Sequence, residues 1–168
     1  VIASGAFSGP VPTTGPRALS GVPIVGNLAT IGGALAAALA PANPSAGTAQ
    51  PGATHVPLLA IALAASSEPV VLTALRFASS GSGDETTDVD RAELWRDTNQ
   101  NGVVDGGDVR LGSPAVFAQN DGTLSFAFAS ETIPAGATRV LLLSYDFTTT
   151  PSGGQTFQAA VVDASAIT

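Results

Sequence analysis

Twelve consecutive residues carry the clearest chemistry in this chain: Asp97-Thr98-Asn99-Gln100-Asn101-Gly102-Val103-Val104-Asp105-Gly106-Gly107-Asp108. Oxygen-bearing side chains stand at Asp97, Asn99, Asn101, Asp105 and Asp108, which are positions 1, 3, 5, 9 and 12 of the stretch, and Gly102 is at position 6. That is the ligand spacing of a calcium loop. A hard cation demands oxygen donors, so the chain must reverse tightly and turn alternate residues inward. Val103, at position 7, offers its backbone carbonyl, and Gly102 supplies a turn that a Cβ would resist. Val104 is apolar and can anchor the loop to a core. The expected ligands of Ca2+ are therefore Asp97, Asn99, Asn101, Val103, Asp105 and Asp108. Asp108 stands where an EF-hand has the longer Glu, and only three of the five side chains are charged. Both features favour moderate affinity, suited to millimolar calcium. Magnesium, which keeps its waters, fits less well. The alternative is an Asx-rich turn without metal.

Other chemistry finds little support. The chain has no Cys, so thiolate and disulfide chemistry are absent. His55 is the only histidine, and its sequence neighbours offer no partner, so it reads as the surface start of a strand. A Ser–His–Asp triad would have to use it, yet Ser66, Ser67 and Ser144 lie in no nucleophile elbow. Glu93 and Glu131 are a conceivable carboxylate pair for glycoside hydrolysis, but nothing in the sequence brings them together. No enzymatic activity is expected. Trp95 is ambiguous: it is either a core residue or an exposed platform for a sugar ring or a second subunit. Tyr145 alternates with Leu141, Leu143 and Phe147 and is expected in the core. Arg91, Arg96 and Arg110 flank the acidic region and are expected to balance the charge of the loop, ahead of any ligand recognition.

The charge is uneven. The chain has a net charge of −7 and all six basic residues are arginine. Of thirteen carboxylates, Asp84, Glu85, Asp88, Asp90, Glu93, Asp97, Asp105 and Asp108 fall within one short segment. Such a block repels nucleic acid and attracts cations. Within it, Asp84, Glu85, Asp88 and Asp90 read first as a solvated loop and second as a further cation contact. Residues 18–54 carry no charge, but Ala and Gly dominate and Pro23 interrupts them, so no membrane span is expected. Val1 is not an initiator, which suggests a processed, secreted chain.

The elements that must position the loop are strands. Residues 33–168 give short apolar runs separated by Gly, Pro and Asx turns: Ala34–Ala40, His55–Ala64, Pro69–Phe77, Val89–Arg96, Val109–Leu111, Ala115–Gln119, Thr123–Ala129, Thr138–Phe147 and Gln155–Val162. Leu124, Phe126 and Phe128 alternate cleanly, and Asn120-Asp121-Gly122 signals a hairpin turn. Ser79–Gly83 reads as a flexible loop. No helix is expected. The pattern argues for an all-β fold, one antiparallel sandwich. Residues 1–32 are too rich in Gly and Pro for a helix and read as an extended arm. Within it Val22, Ile24, Gly26 and Leu28 alternate on one face, as a strand offered to a neighbour would.

The segments PGATHVPLLAIALAAS, VVLTALRFASSGSGDETTDVDRAELWRDTNQNGVVDGGD, FAQNDGTLSF and IPAGATRVLLLSYDF together resemble a module of bacterial secreted and cell-surface proteins. That module looks like an immunoglobulin-type sandwich with a dockerin-like calcium loop, and such loops tolerate Asp at the closing position. The resemblance covers residues about 33–164. It implies secretion, β structure and calcium, and no reaction. The expectation is a calcium-stabilised structural subunit of an extracellular filament or surface layer, polymerising through the arm. The alternative is an adhesion or carbohydrate-binding module, with a glycan or surface protein as partner.

Overall fold

Alternation of apolar and polar residues builds strands here because successive side chains point to opposite faces. A computed structural model describes residues 29–31 and 35–163. It contains nine strands and one helical turn among these residues. The strands are β1 (Ala29–Ile31), β2 (Leu35–Leu39), β3 (Val56–Ala65), β4 (Val70–Gly81), β5 (Val89–Asp97), β6 (Val109–Arg110), β7 (Thr123–Ile133), β8 (Thr138–Phe147) and β9 (Phe157–Asp163), with α1 (Glu85–Asp88) between β4 and β5. They form two antiparallel sheets, ordered β1-β2-β3-β8-β5-β6 and β7-β4-β9. The architecture is an all-β sandwich. No helix among the described residues is long and apolar enough to cross a membrane.

The main core lies between the sheets. Leu59, Ile61 and Leu63 of β3 and Leu141, Leu143 and Tyr145 of β8 meet Leu72, Leu75 and Phe77 of β4 and Leu124 and Phe126 of β7. Phe77 and Phe126 contact edge to face at 5.9 Å. A second, smaller cluster covers the outer face of the larger sheet. It joins Ala40, Ala60, Val140 and Leu142, with Ala62, Trp95 and Val104 packed against them. The unbroken run Val140-Leu141-Leu142-Leu143 is thereby explained: β8 is central and covered on both faces, so neither face needs to be polar. Small residues at Ala60 and Ala62 leave room for the covering loops.

Several expectations shift. Ser79–Gly81 belong to β4 and are not a loop; Ser79 is buried. Of Ala115–Gln119 only Ala115 bridges, to Ala92. Glu131 lies in β7, beyond the expected end of that strand at Ala129, and is buried. The unforeseen turn α1 is too short for periodicity to reveal. Ala29–Ile31 of the expected arm form an edge strand, pairing Ala29 with Ala37 and Ile31 with Leu35. Val22, Ile24, Gly26 and Leu28 lie outside the described residues.

Candidate metal sites

The Asp97–Asp108 loop connects β5 to β6, whose pairing of Trp95 with Arg110 and Arg96 with Val109 brings its ends together. Its side-chain oxygens accept hydrogen bonds from within the loop. Asp97 accepts from the backbone N–H groups of Asn101 at 3.2 Å and Gly102 at 2.8 Å. Asn99 Oδ1 accepts from Asn101 N–H at 3.2 Å, and Asn101 Oδ1 from Val103 N–H at 2.9 Å. Asp108 accepts from Thr98 N–H at 2.9 Å and Asp105 N–H at 3.0 Å. Asp105 Oδ2 receives the side-chain amides of Asn99 at 2.7 Å and Asn101 at 2.9 Å. Positions 3, 5 and 9 thus touch one another, with amide N–H groups supplying the positive partner for Asp105. The Gly107 N–H, then Asn99 and Asn101, hold the Asp105 carboxyl below its ordinary range.

Two residues fix the loop to the domain. Gly102 adopts φ +76°, and a Cβ there would overlap the carbonyl oxygen of Ala42. Val104 packs on the outer-face cluster, the anchoring role expected for it. Gln100, at φ +60°, makes the preceding part of the reversal.

The neighbouring acidic residues are not a solvated loop. Asp84 caps α1 by accepting from Thr86 N–H at 2.9 Å. Glu85 is fully buried and accepts from Ser79 Oγ at 2.5 Å and Asp121 N–H at 2.8 Å. Asp88 is buried and accepts from Ser152 N–H at 3.0 Å. Asp90 alone is exposed, 3.8 Å from Arg91. These carboxylates tie β4, the turn at Asp121 and the β8–β9 connection together.

The arginines also depart from expectation, since none of their ion pairs is with the loop. Arg96 and Arg139 both pair with buried Glu131, at 3.0 and 3.2 Å. Arg110 pairs with Glu93 at 3.1 Å and Arg91 with Asp146 at 2.7 Å. Asp146 is the main cause that raises the Arg91 guanidinium above its ordinary value. Glu93 on β5 and Glu131 on β7 lie in different sheets and belong to separate ion-pair networks, so the conceivable glycosidase pair is not assembled.

His55 has partners that its sequence neighbourhood does not suggest. Its Nε2 lies 3.1 Å from Glu93 Oε2, and its backbone N–H donates to Asp146 Oδ1 at 2.6 Å. The donor atoms of His55, Glu93 and Asp146 all lie within 4.8 Å of one another. This is a possible metal-binding cluster on the outer face of the larger sheet. Trp95 shares that face: its ring meets the His55 ring edge to face at 5.4 Å, and its indole N–H donates to Ser144 Oγ at 3.1 Å. Sequence reading misses the cluster because residues 55, 93 and 146 come from the approach to β3, from β5 and from β8. The register that pairs Glu93 with Ser144 brings the latter two strands together. Comparison with protein families, curated proteins and solved structures yields no match to this chain.

Proposed function

We propose that this chain is a structural subunit of an extracellular filament or surface layer, braced by calcium in the Asp97–Asp108 loop and joined to its neighbours through its N-terminal arm. The observation that carries the reading is the contact of Asn99 and Asn101 with Asp105 at 2.7 and 2.9 Å, inside a loop seated on the outer-face cluster. A cation taking the place of the amide N–H groups would neutralise Asp97, Asp105 and Asp108 together. It would also stiffen the roof over Val140 and Leu142. The role is bracing, since the site links β5, β6 and the segment around Ala42.

The arm reading draws on β1. Its three residues already run as an added strand on β2. The large exposed apolar residues among those described are Leu39, Val103, Val109 and Val116, scattered along the chain, so the core is closed. An arriving arm would therefore add to a sheet edge by main-chain pairing, with Val22, Ile24, Gly26 and Leu28 as the pairing segment. A glycan platform at Trp95 has less support, because its indole N–H and one ring contact are committed to Ser144 and His55.

Melting curves with calcium and with chelator test the brace. At about a hundredfold excess of calcium over its dissociation constant the expected gain is roughly 2.7 kcal/mol, lost in Asp97→Ala. An identical melting point in all four cases removes calcium from the reading. Sedimentation of the intact chain and of one lacking residues 1–28 tests the arm. Calcium-dependent polymers of the intact chain alone are expected. A monomeric intact chain at high concentration would discard the polymer.

A further inference from the structure

We propose that His55, Glu93 and Asp146 form a second metal site, distinct from the calcium loop and selective for a divalent transition metal of the zinc class. The three residues supply one imidazole nitrogen and two carboxylate oxygens, a mixed N/O set that suits zinc and its neighbours better than calcium. Their donor atoms already lie within 4.8 Å of one another. Ligands of a four-coordinate zinc stand about 3.3 Å apart, given bond lengths near 2.0–2.1 Å, so small side-chain rotations complete the set.

A second observation is the burial of both carboxylates. Glu93 and Asp146 are only 3 % and 2 % exposed. Glu93 Oε2 and Asp146 Oδ2 are buried, and no neutral donor reaches either. Each has only a cationic or potentially cationic neighbour: His55 Nε2 at 3.1 Å and Arg91 Nη2 at 2.7 Å. A buried carboxylate is costly unless positive charge compensates it, so both oxygens depend on these partners. Strands β5 and β8 fix both carboxylates, whereas the side chains of His55 and Arg91 are 43 % and 44 % exposed. The buried half of the site is the anionic half, and the cationic half faces solvent. Arg91 then acts as the resident counter-ion. A metal would displace its guanidinium from Asp146, while Arg110 continues to hold Glu93 Oε1 at 3.1 Å. Charge favours the exchange only if Arg91 leaves, so Arg91 is a built-in competitor for the metal.

The chain carries its own reporters, one His and one Trp, with rings 5.4 Å apart. Zinc is titrated in saturating calcium, followed by the His55 proton resonances and by Trp95 fluorescence. Cobalt is then titrated for its visible absorption. The expected result is saturable binding, retained in Asp97→Ala and weakened at least tenfold in His55→Asn and in Asp146→Asn. Arg91→Gln should tighten it severalfold. If Asp146→Asn does not fold, Glu93→Gln takes its place, and His55→Asn, at a half-exposed side chain, keeps the test open. An unperturbed His55 resonance at millimolar zinc overturns the proposal. So does binding that survives both carboxylate substitutions, which would be a lone-histidine contact. Arg91→Gln that weakens binding would overturn the competitor role and with it the site as drawn.

Discussion

Tyr145 is the only tyrosine in the chain. It is buried in the sandwich core with its hydroxyl 3.4 Å from Ser79 Oγ. Burial pushes its pKa up to about 12, and the nearby Glu85 carboxylate adds to the effect. The folded phenol thus holds its proton longer than the unfolded one, which titrates near 10. Its contribution to stability is fully present below pH 10 and is lost as pH rises towards 12, on the order of 2–3 kcal/mol. Ultraviolet titration should show one phenolate transition near pH 12 that coincides with unfolding; a transition near 10 in the folded chain would contradict the burial. Asp105 has the opposite sign. Its carboxyl is depressed by Gly107, Asn99 and Asn101, so its contribution is present above about pH 4 and fades on acidification. Asp105→Asn should flatten the acid limb of the stability curve. At Gly102 the backbone is left-handed and Ala42 blocks a side chain. Gly102→Ala should cost at least 1–2 kcal/mol and weaken calcium binding, as calorimetry would show.

At the scale of elements, the single turn α1 acts as a clasp. Asp84 starts it, and its buried face holds Glu85 against Ser79 and the Asp121 N–H. Glu85→Ala would leave the Asp121 N–H without its acceptor and Ser79 Oγ with the Gln158 carbonyl, 3.2 Å away. A loss of about 2–4 kcal/mol is expected from denaturant unfolding, larger than for the exposed Asp90→Ala, which should lie within about 0.5 kcal/mol. Strand β8 is the other decisive element. Its inward Leu141, Leu143 and Tyr145 serve the sandwich, while Val140, Leu142, Ser144 and Asp146 serve the outer face.

For the whole molecule, the outer face of the larger sheet is where the covering loops, both candidate metal sites and Trp95 meet. The Asp97–Asp108 loop contacts the chain at Ala42, and Ala42 follows Ala40 of the outer cluster. Chelation should therefore loosen both segments together. Hydrogen exchange at 98–108 and at 40–43 is expected to rise at least tenfold without calcium, while the β4–β7 ladder stays protected. Exchange that rises in 98–108 alone would show that the two loops are not one unit.

The Asx-rich turn at Asp97–Asp108, the anchoring Val104 and the all-β character were all legible in the sequence, because each depends on neighbours a few residues apart. The period of two at Leu124, Phe126 and Phe128 and the Gly102 reversal are local rules that tertiary context left intact. What the sequence could not disclose depends on register between distant strands. Only the pairing of β5 with β8 sets Glu93 and Asp146 side by side, and only the approach to β3 places His55 over them. Likewise Glu85 and Asp88 look like solvated acids until the β4 end, the Asp121 turn and Ser152 close round them. A charge in sequence carries no record of its burial; the tertiary fold decides it, by choosing which backbone N–H groups and which arginines come within reach.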